Sequence, residues 1–135
     1  MNEIIFTDSV TPLMLKAEPS GELADEALYG MAADVLSEEN GMLKVRMRYR
    51  YEGYVSPKST LRTDSAKEWE ISVTHQVTAP AADIMSAPSF NSHIVKTLPR
   101  GGRLAARRTA DWQDAEWTPA ALADGSKGFV RTKSI

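Results

Sequence analysis

Between Leu43 and Tyr51 the chain alternates: Leu43, Val45, Met47, Tyr49 and Tyr51 are apolar, while Lys44, Arg46, Arg48 and Arg50 are cationic. A period of two puts the first set on one face of a strand and the cations on the other. The pattern predicts a half-buried antiparallel strand whose wet face is guarded by charge against edge-to-edge pairing. Gly53-Tyr54-Val55 begins a further strand, which Pro57 ends because proline has no N–H for the ladder. Upstream, Leu13-Met14-Leu15, residues 27–29 and residues 33–36 read as strands, separated by Pro19-Ser20-Gly21, Gly30 and Glu39-Asn40-Gly41. Residues 23–33 contain helix-forming Ala, Leu and Glu, but Gly30 and the strand-like stretch at 94–98 favour a strand. Residues 1–6 are expected to add a leading strand. In residues 62–76, Trp69, Ile71 and Val73 alternate with polar positions, which predicts a packed connector.

A repeat organises these elements. Tyr51-Glu52-Gly53-Tyr54-Val55-Ser56-Pro57-Lys58-Ser59 returns as Ser126-Lys127-Gly128-Phe129-Val130-Arg131-Thr132-Lys133-Ser134, 75 residues later. Leu15 and Pro19-Ser20 echo at Ile84 and Pro88-Ser89 (offset 69). Leu28 echoes at Leu98, and Met42 at Trp112 (offset 70). The change of offset implies an insertion in the second copy, expected at residues 119–125. Two copies make a tandem pair of domains. The expected boundaries are 1–64, a connector over 65–76, and 77–135. Five short strands in about sixty residues suit a small barrel or sandwich.

Composition narrows the function. The chain has no cysteine, which removes disulfides, thiolate metal sites and a cysteine nucleophile from it. Residues 1–6 do not read as an export signal, and no run approaches the ~18 apolar residues of a membrane helix. A soluble protein, cytoplasmic or associated with the cell envelope, is therefore expected. The net charge of −2 divides into −5 over residues 1–70 (8 basic, 13 acidic) and +3 over residues 71–135 (8 basic, 5 acidic). Arg100, Arg103, Arg107 and Arg108 are the densest basic cluster. The imbalance is too small to imply nucleic-acid binding.

The ordered motifs Ala17-Glu18-Pro19-Ser20, Leu28-Tyr29-Gly30, Asn40-Gly41-Met42-Leu43-Lys44-Val45 and Tyr51-Glu52-Gly53-Tyr54-Val55 resemble the bacterial SH3-like domain. More narrowly, they are similar to the first of two such domains that precede the catalytic domain in NlpC-type cell-wall cysteine peptidases, including γ-D-glutamyl-L-diamino acid endopeptidases. Residues 78–84, Leu98-Pro99-Arg100-Gly101, Trp112 and Gly128-Phe129-Val130 resemble the second. The resemblance implies an all-β fold of two small SH3-like β-barrels in tandem. It also implies a catalytic domain beginning just past Ile135, and an aromatic residue where this chain has Met42.

By the same resemblance, Glu18 and Tyr51 would help form a pocket for a substrate's free amino end. A carboxylate pairs with an ammonium, and a phenol offers an acceptor and a π face. Ala87 and Ser126, the counterparts expected in the second copy, can do neither. As plain structure, Glu18 is a turn residue and Tyr51 packs at a strand end. Trp112 is the better core candidate, whereas Trp117 is expected to be exposed, to stack on a sugar or to bury at an interface. His75 and His93 lack partners at metal-ligand spacing, so no metal or cofactor is expected. Asp83, Ser92 and His93 lack the context of a nucleophile elbow.

Three readings follow. The first is a non-catalytic module that recognises peptidoglycan peptides or positions a cell-wall peptidase catalytic domain. The second is a piece of a peptidase whose catalytic domain lies elsewhere. The third is a protein-interaction adaptor that uses sheet edges or the basic cluster. None calls for nucleic acid or a membrane as partner.

Overall fold

The computed structural model of the chain describes residues 2–135. It divides into two compact units, Met1–Ile71 and Ser72–Ile135, each all-β and SH3-like. Among the described residues no helix is long and apolar enough to cross a membrane.

In the first unit β1 (Glu3–Phe6), β2 (Val10–Met14), β3 (Leu23–Leu28), β4 (Ala32–Glu39), β5 (Met42–Met47), β6 (Glu52–Val55) and β7 (Thr60–Arg62) form one antiparallel sheet. Their order is β3-β2-β6-β5-β4-β1-β7. No ladder joins β3 to β7 among the described residues, so the expected barrel is not closed by hydrogen bonds. Asn40 and Gly41 link β4 to β5 with φ of 50° and 75°, a turn whose twist suits a tight hairpin. Leu43, Val45 and Met47 bury one face of β5 against Ile4, Phe6, Leu13, Ala27, Ala33 and Val55, as the alternation predicts.

The alternation overstates the strand. β5 stops at Met47, where the Arg50 N–H donates to the Met47 carbonyl (2.8 Å) and Arg50 takes a φ of 69°. That turn throws Tyr49 and Tyr51 out of the core into exposed positions.

The connector also differs from expectation. Residues Ala66–Ser72 form a helix, α1, in which Trp69 is buried and Ile71 is 79% exposed. At 3.6 residues per turn, positions two apart point to opposite sides, so one apolar residue must face water. Ala, Lys and Glu favour a helix here, and two anchors hold it. The Trp69 indole N–H donates to the Gly30 carbonyl (2.8 Å), and Glu70 accepts from Arg48 at 2.8 and 3.0 Å. Arg48 also donates to Glu3 (2.6 Å) and Asp34 (2.9 Å). The Glu70 hydrogen bond raises the Arg48 pKa most; burial opposes it, and the hydrogen bonds to Glu3 and Asp34 add to the rise.

The second unit contains β8 (His75–Gln76), β9 (Ala81–Met85), β10 (Ile94–Pro99), β11 (Arg103–Ala106), β12 (Trp117–Ala121) and β13 (Lys127–Arg131). Their order is β10-β9-β13-β12-β11-β8. Equivalent hydrogen bonds give the true correspondence of the copies. Leu15 N–H to Glu22 O matches Ser86 N–H to His93 O, and Gly30 N–H to Phe6 O matches Gly101 N–H to Val77 O, both 71 residues on. Met14 pairs with Tyr54 as Met85 pairs with Phe129, and Lys44 with Tyr54 as Pro119 with Phe129. The offset is therefore 71 through β11 and 75 from β12 onward.

This corrects the 69 and 70 read from short motifs, since Pro-Ser and Leu-Gly neighbours recur by composition within loops. It places the insertion between Ala106 and Trp117. Residues 119–125 hold none, because Leu122 N–H to Ser126 O closes the same turn as Met47 N–H to Tyr51 O. Trp117, not Trp112, occupies the position of Met42. Glu18 corresponds to Ser89, not Ala87, whereas Tyr51 keeps Ser126.

The repeated glycine has a steric role. A Cβ on Gly128 would lie 2.6 Å from the Met85 carbonyl oxygen and 2.7 Å from Ile84 Cγ2; on Gly53 it would meet Leu13 Cβ at 3.0 Å. Gly128→Ala is expected to lower stability by about 1–3 kcal/mol through overpacking. Gly53→Ala should cost less, because its nearest contact would be 3.0 Å and not 2.6 Å. Urea unfolding of both variants checks the ranking, and equal midpoints would contradict it.

Candidate functional site

Glu18 stands in the loop between β2 and β3. Its N–H donates to Lys16 O (2.7 Å), its carbonyl accepts from Gly21 N–H (3.1 Å), and the Asn40 amide donates to Ala17 O (3.4 Å). These bonds bring the loop against the β4–β5 turn and leave a shallow hollow of about 510 Å³, lined by Lys16, Ala17, Glu18, Glu39 and Asn40. Among the described residues the exposed Glu18 carboxylate has no hydrogen bond or ion pair. The Glu39 carboxylate is also the main cause of a raised pKa at the Tyr54 phenol. Two carboxylates and one lysine thus border the hollow, an arrangement suited to a cationic group.

Tyr51 is not among the lining residues. Its hydroxyl reaches Ala24 O at 3.5 Å, the limit of a hydrogen bond, and its ring stacks on Tyr49 with centroids 6.4 Å apart and planes at 19°. Tyr49 donates to Asp25 at 2.7 Å. Burial, followed by that hydrogen bond, pushes the Tyr49 phenol up to about 12. The carboxylate hollow and the tyrosine pair are therefore built by different neighbours. Sequence reasoning missed Glu39, Asn40 and Tyr49 as companions of the two candidates. The turn signal Glu39-Asn40-Gly41 was visible, but not what the turn would face.

The basic residues of the second unit do not converge on one patch. Arg100 is exposed in the β10–β11 turn, and Arg103 is half-buried in β11 with a buried Nε that has no hydrogen-bond partner. Arg107 and Arg108 are exposed after β11 and border different hollows, Arg107 beside Phe129 and Arg108 beside His75.

The tryptophan assignments are reversed. Trp117 is only 4% exposed, because it opens β12 at a core position and packs edge-on against Phe90 (5.2 Å). Trp112 lies in the insertion, stacks on Phe129 (5.5 Å, 18°) and donates its indole N–H to the Trp117 carbonyl (2.6 Å). The Ser92 hydroxyl donates to Ala87 O and Ser89 O within its own loop, and Asp83 accepts from Thr97 (2.7 Å). Among the described residues no three His, Asp or Glu side chains gather as metal ligands.

Residues 13–59 match the bacterial dipeptidyl-peptidase Sh3 domain. Over 123 residues the chain is 35% identical to dipeptidyl-peptidase 6 of Lysinibacillus sphaericus, an alignment that covers 88% of this chain and 45% of that protein. The chain thus spans less than half the length of this curated relative. It also resembles the crystal structure of an NlpC/P60 family protein from Bacillus cereus ATCC 10987. That match has a TM-score of 0.75 at 16% identity and covers 98% of this chain and 55% of the other, a likeness of fold. The chain is thus similar to tandem bacterial SH3-like domains of the kind that accompany NlpC-type peptidases.

The tyrosine pair gives a test in alkali. Because the folded pKa of Tyr49 is raised from 10.0 to about 12, its stabilising contribution is complete below pH 10 and is lost as pH rises through 12. Spectrophotometric titration should show phenol ionisation near pH 12, and Tyr49→Phe should lower the amplitude there by one of the four tyrosines. An amplitude unchanged in the variant would contradict the assignment to Tyr49.

Proposed function

We propose that this chain is a non-catalytic recognition module of a cell-wall peptidase, and that its first unit receives the free amino end of a peptidoglycan stem peptide. The observation that carries the proposal is the unpartnered Glu18 carboxylate beside Glu39, inside the span that matches a peptidase SH3 domain. A peptidase that removes dipeptides has to recognise the end of a chain. An ammonium held between carboxylates serves that purpose, with charge-assisted hydrogen bonds that a blocked amine cannot make.

The chain has no cysteine, so a cysteine-peptidase nucleophile has to come from a catalytic domain outside it. The relative's greater length leaves room for such a domain. The Tyr49–Tyr51 pair, which follows β5 and reaches Asp25 and Ala24 of the edge strand β3, adds an aromatic surface on which the following part of the peptide can lie.

Titration calorimetry with a stem peptide bearing a free or an acetylated amino end tests this reading. The free form should bind at least ~10-fold more tightly, the scale of one charge-assisted contact. Glu18→Gln should bring the two forms together. Tyr51→Ala should weaken both equally, as expected for contact beyond the terminus. Equal affinity for the two forms in the unaltered protein would end the amino-end reading, and failure to bind any stem peptide would end the cell-wall reading.

A further inference from the structure

The second unit has a different cleft beside its own β9–β10 loop. It measures about 350 Å³ and is walled by Met85, Phe90, Ile94 and Trp117, with Arg131 on one side and Asp83 on another. The Arg131 guanidinium lies 4.9 Å from the Phe90 ring centre and 5.4 Å from that of Trp117. Its Nε is buried without a hydrogen-bond partner, and its ion pair among the described residues is with the exposed Glu116 at a long 3.9 Å. Asp83, the other charge at the cleft, is held by the Thr97 hydroxyl. Phe90 is 72% exposed although it sits over a tryptophan.

We infer that this cleft binds the free carboxylate end of a peptide terminating in a small apolar residue. A planar guanidinium fixed on ring faces keeps its outer N–H groups aligned as a fork, which matches a carboxylate and loses little freedom on binding. Stacking on rings holds the cation in place but satisfies none of its N–H donors. A buried donor without an acceptor and an ion pair at the limit of contact leave hydrogen-bonding capacity unused. The remaining walls are apolar, and the volume is at the small end for ligand sites, enough for a terminal residue and its neighbour.

The first unit supports the assignment by contrast. At the positions of Phe90, Trp117 and Arg131 it has Pro19, Met42 and Ser56, so the same scaffold there provides neither the rings nor the cation. The Trp117 that opens β12 and the Arg131 that ends β13 face each other in the ladder, so the two strands bring ring and cation together.

The test uses the whole chain and three probes: N-acetyl-alanyl-alanine, its C-terminal amide, and inorganic phosphate. Amide chemical shifts of residues 85–94 and 117, followed by NMR, should move with the acid, and its affinity should exceed that of the amide by about 10-fold or more. Arg131→Gln should abolish the preference. Phe90→Ala removes an exposed wall that the core does not need, and should weaken the acid several-fold if Arg131→Gln proves unstable. Glu116→Gln should tighten the acid by freeing the cation. Glu18→Gln should leave acid binding unchanged, so this result is independent of the amino-end reading. Equal response to acid and amide, no response to either, or phosphate binding as tightly as the acid would overturn the inference.

Discussion

Each unit depends on a place where two strands touch without room for a side chain. At Gly128 the approach of β13 to Ile84 and Met85 is so close that a methyl group would strike a carbonyl oxygen. At Gly53 an added Cβ would lie 3.0 Å from Leu13 Cβ, inside ordinary contact distance. These glycines let β6 and β13 close against β2 and β9, and that contact sets the register of each sheet. The ladder from β6 to β5 then aims Leu43 and Val45 inward and Lys44 and Arg46 outward. Hydrophobic burial stabilises each unit, but the close approach decides which residues are buried.

The same constraint explains why the two copies hold a fold in common while their surfaces diverge. β2 and β9 share one burial pattern, as do β3 and β10. The loops attached to them are free to change. In one unit the β2–β3 loop presents a carboxylate to the β4–β5 turn. In the other, the equivalent loop presents Phe90 to a tryptophan and an arginine. A carboxylate hollow and an arginine cleft carry opposite charge, so one architecture presents two opposite surfaces through side-chain exchange at loop positions.

Much of this was legible in the sequence where periodicity or a repeat spoke directly. The strand at Leu43, the strand reading of residues 23–33 and the two-unit organisation all follow from short-range patterns, and the structure contains them. Alternation failed at Trp69 and Ile71, since two residues in a period of two cannot be told from two on opposite sides of a helix. It failed again at Tyr49 and Tyr51, where a turn ends the strand that the pattern would continue. The exchange of Trp112 and Trp117 has a different cause. An insertion shifts the alignment of two copies, and only paired backbone hydrogen bonds show on which side of the tryptophans it falls. Glu18 was visible as a candidate; its neighbours Glu39 and Asn40 come from a turn distant in sequence, and no local pattern predicts that contact.

At Arg48 the beginning and the end of the first unit meet. Glu3 on the opening strand and Glu70 on the closing helix grip one guanidinium, and β1 runs between β4 and β7. A pull on the two ends therefore loads this ionic clasp and the adjacent strands before it reaches the hydrophobic interior. The first unit is in that sense a closed loop of chain with its entry and exit side by side. Such a piece can be spliced into a surface turn of another protein without stretching either partner.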